Sequence, residues 1–426
     1  VFCVYTFILI GRPQDYVPAL TSVRLAMVFT VITVVLTLLR GSIAKDVFRA
    51  KETRLYLLFY CALIAGIPFG VYRPGAFDVV ITRYIVNVAF FLLFLVHVDS
   101  IAKLKRVALV LVFSVFVFTV FGLRGGNFVA GRYSTGSQIY DPNDVAFVEV
   151  SLLGFALWVL TGSFGLVAKV VAFLSVMFGV LLTLYTASRG GLLGLLTFLV
   201  LFLVLRTSKV SAFFKAFVVA ALLVGATVNS DKINLDRYLT LTTLEDDYNF
   251  QEGGRVDIWN RGWRIFLGTP ITGVGVAGFA KAIGDQRAED KMPSARWQTA
   301  HSSYILVLTE TGLLGTLPFL FLILRSLATF NRLRRASAGL AEKDFAALPG
   351  FLLVGFVAQL VSAAFLSQTY STFFTLSFAL SAVLNRIAAN AATASLDGGN
   401  LPTPPEIGRA SGGPGVRWRN PSLHQG

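Results

Sequence analysis

Apolar runs long enough to cross a bilayer core, roughly 30 Å of hydrocarbon, recur along the whole of this sequence and are parted by short polar links. They fall near residues 1–11, 20–39, 55–72, 79–98, 105–122, 145–162, 164–187, 190–205, 211–228, 302–324, 346–366 and 369–389. The expected fold is therefore an all-α polytopic membrane protein of about twelve transmembrane helices. Composition agrees, because 55 % hydrophobic and 14 % charged residues make 426 positions far too apolar for a soluble domain. The first run is short and the chain opens on Val1 without a Met, so a trimmed N-terminus is expected. Cys3 and Cys61 both fall inside runs and act as small apolar residues, which supports neither a disulfide framework nor a thiolate metal site.

A net charge of +14 invites a nucleic-acid reading, but the basic residues follow topology and form no groove-binding patch. With the N-terminus inside, the cytoplasmic links hold Arg40, Lys45, Arg49, Lys51 and Arg54, then Lys103, Lys105 and Arg106, with similar groups after residues 205 and 324. The short outer links hold only Arg12, Arg73, Arg124, Arg132 and Arg189. Basic residues are retained on the cytoplasmic side during insertion, so the long polar segment 229–300 and His301 belong outside. The organisation read from the chain is spans one to nine in 1–228 and one long outer loop in 229–300 carrying short amphipathic helices. Spans ten to twelve follow in 301–390, and a disordered cytoplasmic tail rich in Gly, Pro and Ser occupies 391–426.

His301 stands where the outer loop runs into a hydrophobic helix, and a ring that titrates near neutrality can take and return protons at such a border. His97 and His424 have no neighbours at ligand spacing, and no metal site is expected. Arg189, in SRGGLLGLL at an outer helix junction, either snorkels to headgroups or offers a bidentate phosphate contact, with Gly190 and Gly191 allowing a close approach of a chain or a phosphate. Arg83 lies inside an outer half-span and faces either a polar cavity or Asp78. Glu310 lies about 13 Å deeper than His301 at 1.5 Å per residue and on another helix face, which suits an interhelical hydrogen bond better than an acid/base pair.

Within the loop, RVDIWNRGWRIFLGTP reads as an amphipathic helix that follows Gly254 and stops at Pro270. Arg255, Trp259 and Trp263 share one face, Arg261 and Arg264 another, and the helix suits a membrane interface. The string GVGVAG at 273–278 is not a dinucleotide fingerprint, because no βαβ unit surrounds it; its glycines fit a tight turn back toward the bilayer.

These residues resemble a known group, the O-antigen ligase and polymerase superfamily of bacterial inner-membrane glycosyltransferases. The resemblance rests on SRGGLLGLL at 188–196 and on the pattern from Arg255 through Trp259 and Pro270 to Gly273 and Gly275. It also rests on the helix start with His301, Tyr304, Glu310 and Gly312, and on DPND at 141–144, which looks like the family's Asn-containing outer loop. It covers about residues 20–390, and Ser302 stands where many members have Asn.

The resemblance implies transfer of a preassembled glycan from a polyprenyl pyrophosphate carrier to an acceptor hydroxyl, at the periplasmic face of the inner membrane and without metal or other cofactor. It implies His301 as general base, Arg189 and Arg255 on the donor pyrophosphate, and Arg264, Arg83, Asn143, Trp259 and Tyr304 as further substrate-binding candidates. Arginines in a low-dielectric cavity stabilise the charge that grows on a pyrophosphate leaving group, and direct displacement inverts the anomeric centre. Trp259, Trp263 and Trp297 suit sugar stacking and interface anchoring equally. Lipopolysaccharide ligase, repeat-unit polymerase and protein O-oligosaccharyltransferase all fit; the alternative of another class is a transporter or flippase for an anionic glycolipid.

Overall fold

The computed structural model describes residues 1–41, 46–137, 140–205, 229–239, 254–291, 297–336 and 343–398, with scattered positions between 211 and 228. Its helices are α1 (Phe2–Gly11), α2 (Leu25–Leu39), α3 (Lys51–Gly66), α4 (Arg73–His97, with a π-helical stretch over Asp78–Arg83), α5 (Ile101–Gly125), α6 (Pro142–Thr161) and α7 (Leu166–Tyr185). They continue with α8 (Arg189–Val204), α9 (Arg255–Gly268), α10 (Phe279–Glu289), α11 (Ser303–Arg335), α12 (Lys343–Ala363) and α13 (Thr372–Gly398). A small antiparallel hairpin, β1 (Asn127–Val129) and β2 (Arg132–Ser134), pairs Phe128 with Tyr133 and Val129 with Arg132.

Among the described residues seven helices are long and apolar enough to cross a membrane, namely α4, α5, α6, α7, α11, α12 and α13. Each coincides with one of the runs read from the sequence. The runs at 1–11, 20–39 and 190–205 form shorter apolar helices, and the run at 55–72 falls mainly on α3, whose first turn is charged. Most of 211–228, and the tail beyond 398, lie outside the described residues.

Surface and interior carry the signature of a lipid-exposed bundle. Val31, Val35 and Leu38 of α2, Leu196 and Val200 of α8, and Leu317, Leu320, Phe321 and Leu324 of α11 point outward, while Asn87, Glu149, Glu310 and Gln359 are buried. Close helix approach is made by small residues. α6 packs on α7 and α12, and α8 on α12. A Cβ at Gly154 would meet the Phe351 carbonyl, and one at Gly191 the Ala146 side chain.

α11 is broken where segment 269–278 enters it. Gly312 has φ 54 and ψ −156, so the N–H groups of Leu313 and Leu314 no longer reach the carbonyls of Thr309 and Glu310 four residues back. The loop replaces both partners. Leu313 and Leu314 donate to the Pro270 and Ile271 carbonyls at 2.8 and 3.1 Å, and Val274 and Gly275 donate to the Thr309 and Glu310 carbonyls at 3.0 and 2.9 Å. This exchange explains GVGVAG: Gly273 and Gly275 have positive φ, and a Cβ at Gly275 would lie 2.5 Å from the Gly70 Cα just after α3. The turn inferred for these glycines is present, and it interlocks segment 269–278 with α3 and α11.

Candidate functional site

Three helices around the site begin on side-chain caps, which fix where each enters. Asp141 forms a capping box with Asp144 at the start of α6, Ser188 accepts from Gly191 N at the start of α8, and Ser302 accepts from Ile305 N at the start of α11. Arg189 and Arg255 are the first residues of α8 and α9. Helix N-termini present partial positive charge and free N–H groups, an arrangement suited to an anion.

His301 is held between two such anchors. Trp259 of α9 donates its indole N–H to the Ala300 carbonyl at 2.9 Å, which fixes the residue before it. On the other side, Ser303 is tied to the segment joining α12 and α13: its hydroxyl donates to the Leu366 carbonyl at 2.6 Å and accepts from Gln368 N, and its carbonyl accepts from Thr369 Oγ1. His301 itself has φ 46, a left-handed conformation that non-glycine residues rarely hold without surrounding constraint. Its Nε2 lies 3.2 Å from Thr299 Oγ1, with the donor set by the ring tautomer.

The electrostatic surroundings of His301 are cationic. Its pKa is held below the ordinary 6.5, first by burial, then by the positive charges of Arg255 and Arg132, with Asp141 opposing. Neutral imidazole therefore persists to lower pH than in water, the form a proton acceptor needs. Arg132 is itself pushed down by burial and by the neighbouring Arg237 and Arg255. Its guanidinium is aimed by the Thr186 carbonyl at 3.1 Å and by Asn143 Oδ1 at 2.7 Å. Arg237, from a short helix at Leu235–Leu239, donates from Nε to the Ala187 carbonyl at 3.0 Å, and Arg189 donates to the Arg237 carbonyl at 3.3 Å. Ala187, two residues before Arg189, also has positive φ.

The residues expected from sequence divide in two. His301, Arg255, Arg189, Trp259 and Asn143 are joined, directly or through Arg132 and Arg237, in this one cluster. Arg83 instead pairs with Asp78 at 2.6 Å with 73 % of its side chain exposed, the structural option left open above. Arg264 is on the exposed side of α9, whose buried face carries Arg261 bonded to Asp257 and Asp290. Tyr304 donates to the Leu360 carbonyl at 2.8 Å and so fastens α11 to α12. Trp263 is half-exposed and does not join Trp259 at the cluster. The space at Gly190 is filled by Phe365 just after α12, that at Gly191 by Ala146 of α6 and that at Gly194 by Ser362 of α12, so these glycines admit neighbouring parts of the chain.

Arg132 and Asp141, met in the sequence only as an outer-link arginine and as part of DPND, and Arg237 were not among the site candidates read from sequence. A signal for the first was present: an arginine on the outer side runs against the topological trend, so each such exception asks for a role.

Glu310 lies apart from the cluster as a structural carboxylate. It accepts from Phe279 N at the start of α10 at 3.2 Å and from the Tyr370 hydroxyl at 2.8 Å.

Residues 173–320 match the family model of the O-antigen ligases. No curated protein matches the chain. The O-antigen ligase match runs from within α7 to the middle of α11, and takes in Arg189, Arg237, Arg255, His301 and the interlocked turn; Arg132 and Asn143 lie before it. It supports the O-antigen ligase superfamily, the group that the motifs resemble, and with the seven long apolar helices among the described residues it suggests a multi-pass membrane protein. The family implies an enzyme of glycosyltransferase or ligase type acting on a lipid-linked glycan.

Proposed function

We propose that this chain moves a preassembled glycan from polyprenyl pyrophosphate to an acceptor hydroxyl at the periplasmic face of the bacterial inner membrane. The observation that carries the reading is the gathering of Arg132 and Arg255 around one part-buried histidine, with Arg237 beside Arg132 and Asp141 the acidic group that acts on the histidine. In this reading the three shorter apolar helices, α3 and the run at 211–228 complete a set of about twelve spans. Segment 229–300 is then the outer loop.

The chemistry follows from the charges. His301, neutral because burial and the arginines disfavour its protonated form, accepts the acceptor hydroxyl's proton as the oxygen attacks the anomeric carbon. The carbon–oxygen bond to the pyrophosphate breaks, and its negative charge meets guanidinium groups already oriented by backbone carbonyls. Arg189 and Arg255 hold the pyrophosphate, with Arg132 and Arg237 adding to the same positive field. Attack opposite the leaving group inverts the anomeric centre. Trp259 positions the histidine through Ala300, and Asn143 aims Arg132.

The broken α11 favours a second reading, since transporters use interrupted helices to bind ions through freed backbone groups. Here all four groups at the break are taken by residues 270–275, which leaves none of them for a transported ion. The test is transfer in vesicles supplied with lipid-linked glycan. His301→Ala should insert normally and lose transfer, whereas retained transfer removes the histidine from the mechanism. Movement of the intact lipid-linked glycan across the vesicle, with no product formed, would favour the transporter.

A further inference from the structure

A second cationic feature stands at the far end of the molecule from His301. From Ser303 to Arg325, α11 rises roughly 30 Å, about the thickness of a hydrocarbon core. Where it arrives, the start of α3 and the later parts of α4, α11 and α13 border a half-open cavity of 530 Å³. Arg49, Lys51, Arg325, Arg332 and Arg386 line it, against the single carboxylate Glu52.

That carboxylate is already committed. Glu52 Oε1 accepts from Arg325 Nη2 at 2.8 Å and from Asn385 Nδ2 at 2.8 Å. Asn385 in turn binds Thr329 Oγ1 at 2.9 Å and accepts from Arg332 through its Oδ1. Arg386 donates to the Leu95 and Val98 carbonyls at 2.6 and 2.7 Å. Arg325, Arg332 and Arg386 are thus oriented by these bonds, and five basic side chains line the cavity against one carboxylate. The remaining wall is apolar, with Val47, Leu95 and Ala328.

We propose that this cavity binds the phosphate headgroup of an anionic membrane phospholipid. Topological retention of basic residues and favourable helix C-termini explain cations near a cytoplasmic surface, but not their convergence on one cleft with oriented donors. Planar guanidinium forks match phosphate oxygens, and basic pockets between helix ends on the cytoplasmic side suit anionic headgroups. The apolar wall and the membrane-border position favour a lipid over soluble phosphate. The site is separated from the His301 cluster by the length of α11, so it does not depend on the transfer reaction.

The test uses the full chain in nanodiscs and reads retained lipid by native mass spectrometry, with phosphatidylglycerol and phosphatidylcholine as probes. Preferential retention of phosphatidylglycerol is expected, falling at least tenfold in the triple variant Arg49→Gln/Lys51→Gln/Arg332→Gln. The same-charge control Arg40→Gln/Lys103→Gln/Lys169→Gln, outside this cavity, should keep it. The single variant Lys51→Glu, on an exposed side chain, tests the site without touching the Asn385 network and should also lower retention. Equal retention of both lipids, an equal loss in the control, or no effect of Lys51→Glu would overturn the proposal. Displacement of phosphatidylglycerol by millimolar inorganic phosphate would overturn the assignment to lipid and make this a soluble-phosphate site.

Discussion

Gly273→Ala gives the sharpest test of the interlock between segment 269–278 and α11. Gly273 has φ +67, and a Cβ there would sit 2.4 Å from the Glu310 carbonyl carbon and 2.5 Å from the Glu310 and Thr309 carbonyl oxygens. A left-handed backbone costs a non-glycine residue about 1–2 kcal/mol. Forcing a methyl into a packed site costs about 1–3 kcal/mol more. The Val274 and Gly275 hydrogen bonds to those same carbonyls, at 3.0 and 2.9 Å, must lengthen to make room, at about 1 kcal/mol each. Because these terms share one displacement they do not simply add, and the expected loss is about 3–5 kcal/mol. The assay is denaturant unfolding of the purified protein in detergent, with Gly268→Ala as control, since a Cβ at Gly268 meets nothing within 4 Å. Gly268→Ala should change stability by no more than about 1 kcal/mol. If the two variants unfold together, the exchange of bonds between loop and helix is not what holds this region.

Other outcomes follow from the cationic cluster and the chain's topology. Arg189→Lys should lose most transfer activity although the charge is kept, because an ammonium does not reproduce a bidentate phosphate contact; Arg83→Gln should retain activity, because that side chain faces Asp78 and solvent. Transfer rate should fall as pH drops through the lowered pKa of His301. The stability that the neutral ring contributes is present above about 6.5 and is lost below it, as the unfolded chain takes up the proton first. Arg132→Gln should move the acid limb of the pH–rate profile upward, and Asp141→Asn should move it downward. In a background lacking Cys3 and Cys61, which are exposed on the helix surface, Ser230→Cys should react with an impermeant thiol reagent in intact cells. Ala336→Cys should react only after permeabilisation, and the reverse pattern would place His301 in the cytoplasm.

The helical architecture was legible because hydropathy along a chain reports directly on which segments need lipid or a protein interior. His301, Arg189 and Arg255 were legible because charged or titratable groups at helix starts stand out against apolar runs. Arg132 and Arg237 were not: each reaches the cluster through a backbone carbonyl, Thr186 for one and Ala187 for the other, and no spacing in sequence encodes such a long-range bond. Arg83 shows the converse. Its depth in an apolar run left a polar cavity and a pair with Asp78 equally open, and the folded chain makes the pair. The glycines of 273–278 suggested only a turn, since their use as entry points into a helix about thirty-five residues further along the chain exists only after folding.

The break in α11 also changes what it costs to release segment 269–278. Were residues 270–275 withdrawn, Leu313 and Leu314 would be free to pair with Thr309 and Glu310, the partners a continuous helix supplies, and Gly312 can adopt either backbone. Four hydrogen bonds would be surrendered and two regained, so the net loss is only about half of what the interface displays. Slow exchange of the Leu313 and Leu314 amides can therefore arise from two different backbone pairings. Exchange measured at Val274 and Gly275, which have no second partner to fall back on, distinguishes the interlocked state from a straightened helix.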